Sequence, residues 1–225
     1  MTNFQRARSD EQREMRRRAI LDTAAAMLTE MPVNQLSLNE LSRRVGLAKS
    51  NVLRYFESRE AILLELLDVA LRAWLEKLDT ELDVGVDDGA PADARATQVA
   101  DTIAGSLAEQ PVLCDLVSAQ AAVLERNVSP QIAAQYKHAA LASVATMAAL
   151  VRRHLPELDE AAAFRFVAAA VMVTGAVWTH ARPSAAMLAA YAADPQLAAM
   201  RMDFTPTLRD VLDVLLAGLL TGAPH

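Results

Sequence analysis

The stretch LSRRVGLAKSNVLRYF, Leu41 to Phe56, decides how the chain is read. Two adjacent arginines close an apolar-periodic segment, a lone glycine follows, and the nine residues 48–56 read as a second short helix. Extended back to Ser37, SLNE (37–40) has the form of a capping box: Ser37 Oγ accepts from the Glu40 backbone N–H and the Glu40 carboxylate reaches back. Leu38, Leu41 and Val45 give the first helix one apolar face, and Gly46 stands where the turn needs a residue tolerant of positive φ. On the second helix Ala48, Val52 and Phe56 share a face. At about 100° per residue, Ser50 and Arg54 fall opposite Val52, with Asn51 and Leu53 beside them and Lys49 on the first turn. A small apolar side under an exposed amide, hydroxyl and two cations is the build of a helix-turn-helix recognition helix. There Asn pairs with adenine and Arg or Lys with guanine in the major groove. The competing reading is a solvated helix hairpin, in a helical adaptor that binds only protein through its leucine-rich faces.

Charge separates the two readings. The formal net charge is −6, yet residues 1–60 hold 11 Lys+Arg against 8 Asp+Glu, and residues 61–225 hold 11 against 20. A basic head on an acidic body is expected to meet a polyanion only at the head. The adaptor reading leaves this split without a purpose. The arginines at 6, 8, 13, 16, 17 and 18 extend the basic region; they read either as contacts to phosphates or the minor groove, or as a solvated face paired with Asp10, Glu11 and Glu14.

Nearly every segment reads as helix, in a chain 53% apolar and only 4% aromatic, so the expected class is all-α. Helices are expected at about 10–30, 38–45, 48–56, 59–82, 94–108, 112–125, 130–154, 159–181, 184–193 and 206–220. DVGVDDGAPAD (83–93) is the clearest loop. The N-terminus lacks the apolar core of a secretory signal. The longest uncharged apolar run, about 166–178, is shorter than the ~18–20 residues of a membrane span. Together with a single cysteine, Cys114, this reads as a cytoplasmic protein outside the membrane.

ILDTAAAMLTEMPVNQLSLNELSRRVGLAKSNVLRYFESREAILLELL (20–67) resembles the DNA-binding segment of the TetR family of bacterial transcriptional regulators. The resemblance rests on the apolar first helix, the Ser-capped second helix ending in Arg43, Arg44 and Gly46, the Tyr55–Phe56 pair, and SREAIL at 58–63. It implies a helix-turn-helix domain over 1–58 and a helical effector-binding and dimerisation domain over 59–225. It further implies a dimeric repressor that binds a palindromic double-stranded DNA operator and is released by a small-molecule effector. By position, Ser37, Arg43, Tyr55 and Arg59 match phosphate-holding sites, with Arg44 a further backbone contact. Lys49, Ser50, Asn51 and Arg54 lie where bases are read. Two residues depart from the pattern: Ala48 stands where a capping Ser or Thr is frequent, and Leu53 where a Tyr is frequent.

For the dimer, the resemblance points to the last two long helices, and the sequence supplies apolar stripes on both. Val171 and Trp178 belong to one; Leu208, Val211, Leu212, Leu215 and Leu219 belong to the other, with Gly175 permitting close approach. Trp74, Tyr136, Met147, Phe166 and Met172 are candidate pocket liners, against the reading that each is plain core. No G-x-S-x-G, GxGxxG, phosphate loop or H-E-x-x-H occurs, so no enzymatic activity, cofactor or metal is expected. Cys114 has no sequence neighbour to pair with and reads as a small buried apolar residue.

Overall fold

The computed structural model describes residues 3–222, with side chains from residue 11 onward, so Arg6, Arg8 and Asp10 lie outside the described side chains. It is built from helices, in order α1 (Asn3–Glu30), α2 (Leu38–Val45), α3 (Lys49–Val52), α4 (Arg59–Gly85), α5 (Ala92–Ala108) and α6 (Pro111–Ala119). These are followed by α7 (Pro130–His154), α8 (Glu160–His180), α9 (Ala185–Ala193), α10 (Pro195–Ala198) and α11 (Phe204–Thr221). No strand occurs among the described residues, as the helical periodicity requires.

The helix ends follow local chemistry. Asp159 Oδ1 accepts from Ala162 N at 2.6 Å to start α8, Ser184 Oγ accepts from Met187 N at 3.3 Å to start α9, and Asp194 Oδ1 accepts from Gln196 N at 2.8 Å to start α10. Two spans differ from expectation. The single helix expected over 112–125 ends at Ala119 and widens into a π turn, Gln120–Leu124, closed by Glu125 N donating to Gln120 O at 3.1 Å. The recognition helix expected over 48–56 ends at Val52. Arg54 N donates to Asn51 O and Tyr55 N to Val52 O, so the i→i+3 pattern tightens the chain into a 3₁₀-like turn.

Two compact units emerge: Met1–Val69 with Ala119–Tyr136, and Ala70–Ser118 with Lys137–His225. Within the first unit, Ile62, Leu63, Leu64, Leu66 and Leu67 on the opening turns of α4 are buried, as are Ile20, Ala24, Met27, Leu36, Leu41, Val52 and Phe56 of the helix-turn-helix. In the second unit α11 packs on α5 and α8, burying Leu208, Leu212 and Leu216 at four-residue spacing. Gly175 of α8 allows a close approach, since an added Cβ there would meet the Ser118 backbone at 3.3 Å. Its small size therefore serves packing inside the unit. α8 is long and apolar enough to cross a membrane, with mean hydropathy 1.7 over its most apolar window, and half of that window is buried inside the protein.

Candidate nucleic-acid interface

The site is assembled by the turn between α2 and α3. Ser37 Oγ accepts from Glu40 N at 3.2 Å, which starts α2, and Gly46 ends it at φ 72, ψ 30, with Leu47 N donating to Ser42 O. A side chain would be strained at that φ, which favours glycine there. Ala48 opens α3 with no side-chain cap, consistent with the missing hydroxyl at that position. Leu41 and Val52 are fully buried, which holds α3 against the core and leaves Lys49, Ser50, Asn51, Leu53 and Arg54 exposed. Lys49, Ser50 and Asn51 thus form a polar, cationic ridge on a short helix whose apolar side is locked. Arg54 lies past the helix, in the following turn.

Only half of the expected capping box forms. The Glu40 carboxylate turns away from Ser37 and takes Arg43 in a fork, Nε at 3.0 Å and Nη2 at 2.6 Å, while also accepting from Arg44 Nε at 2.9 Å. Two guanidiniums one turn ahead offer charge-assisted bonds that a lone backbone N–H cannot match. Arg44 further donates to Glu30 at 2.7 Å. These hydrogen bonds, Arg43's foremost and Arg44's next, hold the Glu40 carboxyl down at about 2 from an ordinary 4.5. A depressed carboxylate contributes stability that is present above about 4.5 and lost as pH falls through about 2. A carboxyl-carbon NMR titration of Glu40 is therefore expected to show a midpoint near 2 that rises in Arg43→Gln. A midpoint above 4 in the parent protein would disprove the fork.

Arg59 and Arg17 act inside the head. Arg59 Nη2 donates to the Val33 carbonyl at 2.6 Å, anchoring the 3₁₀ turn Val33–Gln35 to the start of α4. Arg17 donates to the Tyr55 carbonyl at 3.0 Å, pairs with Glu65, and lies 4.3 Å over the Phe56 ring. Arg17 ties α1 directly to the turn after α3. Its heptad relation to Ala24, and its place one turn before Ile20 on the buried stripe, is the sequence signal for this anchoring role. Tyr55 is half-buried, and Ser37, Arg43 and Arg44 sit on or beside exposed α2.

In the second unit the candidate pocket residues separate. Trp74 and Met147 line one apolar cavity together with Ile103, Leu107, Val171 and Thr174, which leaves a free volume of only about 20 Å³. The Trp74 indole N–H donates to Ser106 Oγ at 3.0 Å, so its polar edge is satisfied. Phe166 is fully enclosed, Met172 is 69% exposed, and Tyr136 belongs to the first unit, where burial pushes its hydroxyl pKa up. The contributions of α5 (Ile103, Leu107) were visible only as apolar periodicity, which does not tell a cavity wall from solid core. Of the expected dimer residues, Leu208 and Leu212 are covered within the chain, Val171 lines the cavity, and Val211, Leu215 and Leu219 are half-buried. Trp178 is buried edge-on to Phe204 at 5.1 Å, with the Arg182 guanidinium 4.9 Å over its ring. Cys114 is fully buried, and burial pushes its thiol up to about 12, which makes it inert. Among the described residues no three His, Cys, Asp or Glu side chains are placed to hold a metal ion.

Comparison with known proteins matches this architecture. Residues 20–66 match the family described as bacterial regulatory proteins, tetR family, and residues 68–223 match the tetracyclin repressor-like C-terminal domain. No curated protein sequence matches the chain. Among solved structures, a TetR transcriptional regulator from Rhodococcus is similar at 14% identity and TM-score 0.57, over 94% of this chain and 98% of that one. The fatty acid degradation regulator FadR from Bacillus halodurans is similar at 14% identity and TM-score 0.54, over 91% and 96%. FadR from Bacillus subtilis, solved in complex with stearoyl-CoA, is similar at 15% identity and TM-score 0.53, over 92% and 98%. At these identities the structures speak for the fold; the two sequence matches, one of which spans most of the chain, speak for descent. The chain is a DNA-binding transcriptional regulator and belongs to the TetR family of bacterial regulatory proteins.

Proposed function

We propose that two copies of this chain bind a palindromic operator in double-stranded DNA through Lys49, Ser50 and Asn51, act as a cytoplasmic repressor without enzymatic activity, and release DNA when a small apolar effector enters the second unit. The observation that carries this reading is the ridge of exposed polar side chains on α3, whose opposite side is locked by the fully buried Val52. Two copies would place these ridges about 34–36 Å apart, one turn of DNA. Exposed apolar side chains on the two long helices support a paired state: Met172 and Phe164 on α8, and Val214 on α11, which is 70% exposed.

The cavity supports an apolar effector and a reason for switching. Its lining offers a single hydroxyl, Thr174, whose proton already goes to the Ala170 carbonyl at 2.7 Å, so a charged group would enter at high cost. A free volume of about 20 Å³ holds about one water. Any larger molecule must part the surrounding helices, and a ligand that binds only the parted state shifts the population toward it. Selection of bound duplexes from a random pool tests the reading. The parent protein is expected to enrich a palindrome, and Asn51→Ala to lose preference at one position per half-site, at a cost of about 1–3 kcal/mol. Enrichment of no sequence by the parent would overturn it.

A further inference from the structure

The stripe of α1 that is apolar at Ile20, Ala24 and Met27 continues toward the N-terminus as arginine, at Arg13, Arg16 and Arg17. Arg17 is turned inward onto Tyr55, Phe56 and Glu65, which fixes this part of α1 against the turn after α3. Arg16, next to it in sequence, and Arg13, one turn further out, are exposed. Together with Gln12, Arg54 and Tyr55 they line a groove of about 830 Å³ whose floor includes Met15 and Ala19. Among the described residues no carboxylate lines it, and no ion pair joins Arg13, Arg16 or Arg54. Three guanidiniums therefore line one open concavity with no carboxylate among its described lining residues. Its α1 wall, from Gln12 to Ala19, lies outside the family match, which begins at residue 20, while Arg54 and Tyr55 lie inside it.

We propose that this groove is a phosphodiester-backbone site, taking the DNA strand that flanks the bases read by α3. The inference rests on the function proposed above and extends its footprint beyond the helix-turn-helix. A polyanion is the occupant that the charge requires. DNA is the polyanion favoured by placement, since Arg54 and Tyr55 belong at once to the groove and to the turn that continues α3. From Ala19 to Gln12 the α1 wall spans about 10 Å, comparable to about three steps of a DNA strand. Arg13 and Arg16 hold phosphates there and read no bases, so they act on affinity and salt dependence and leave sequence choice to Lys49, Ser50 and Asn51.

The test uses the full chain and its selected operator, either trimmed to the palindrome or extended by ten base pairs of random flank on each side. Arg13→Gln with Arg16→Gln is expected to weaken binding to the extended duplex at least tenfold at moderate salt. The slope of log affinity against log salt should fall by roughly 2–4, from about 0.9 per phosphate contact in two subunits. The variant should enrich the same palindrome, bind the trimmed duplex as the parent does, and recover most of the slope as Arg13→Lys with Arg16→Lys. Both side chains are exposed, so an unchanged melting temperature is expected to accompany the loss. An unchanged salt slope on the extended duplex would overturn the groove while leaving the operator reading intact. Failure of the parent protein to enrich any sequence would overturn both together.

Discussion

Phe166→Ala is expected to lose about 3–5 kcal/mol of folding stability, the range for truncating a fully enclosed aromatic side chain. Phe166 has no exposed surface, and its neighbours on α8, Ala162, Ala163 and Val167, are also buried. The alanine thus leaves a void in an interior where small side chains have little room to close it. Against a typical total of about 5–15 kcal/mol this is a large fraction. It should appear as a drop of about 6–20 °C in the melting temperature, and as a lower denaturant midpoint with unchanged slope. The same experiment separates two roles for the residue. A ligand contact in an open pocket would lose effector affinity with under about 1 kcal/mol of stability, whereas the enclosed residue described here loses stability first.

Arg95→Ala is expected to cost about 3 kcal/mol, through hydrogen bonds more than through charge. Arg95 opens α5 and is nearly buried. Its Nε donates to the Ala90 carbonyl at 3.0 Å, one Nη donates to the His154 carbonyl at the end of α7, and the other pairs with Glu157. Nearby, His154 is buried with Nδ1 3.0 Å from Asp88 Oδ1, and Arg153 pairs with Asp79 and Asp83, so several polar bonds meet at this corner of the second unit, beside the fully buried Leu155 and Leu158. Removing the guanidinium strands two carbonyls at once. The Glu157 carboxylate is 40% exposed, so Glu157→Gln alone should cost under about 1 kcal/mol. Lysine at 95 should recover only part of the loss, because one ammonium cannot span three acceptors set apart by a guanidinium fork. Equal losses for Arg95→Ala and Glu157→Gln in urea melts would show that the ion pair, and not the carbonyls, carries the corner.

The head was legible from the sequence because each signal there is local. Ser37 three residues before Glu40, Gly46 between two apolar periods, and Val52 four residues from Phe56 specify cap, turn and buried face within one or two helical turns, although Ala48, expected on the same face, is exposed. Where local signals competed with charge, the reading failed in detail. Glu40 could reach its own cap or two guanidiniums, and the guanidiniums won. The wheel that placed Arg54 opposite Val52 assumed 3.6 residues per turn beyond the point where the chain tightens.

The second unit was legible as helices and little more. Val171 and Leu208 carry the same apolar character, yet one lines a cavity and the other is sealed against α5 and α8. Met172, one residue on from Val171, faces outward. Periodicity says which side of a helix is apolar but not what covers it. By itself, then, the sequence determined most of the helices, the Ser37 cap of α2, the αL turn at Gly46 and the exposed polar face of α3, since all depend on residues within a few positions of one another. Only the tertiary structure decided that Arg17 ties α1 to Tyr55 across 38 positions, that Arg13, Arg16 and Arg54 share one groove, and that Trp74 meets Met147 at a cavity, because those contacts depend on where distant helices come to rest.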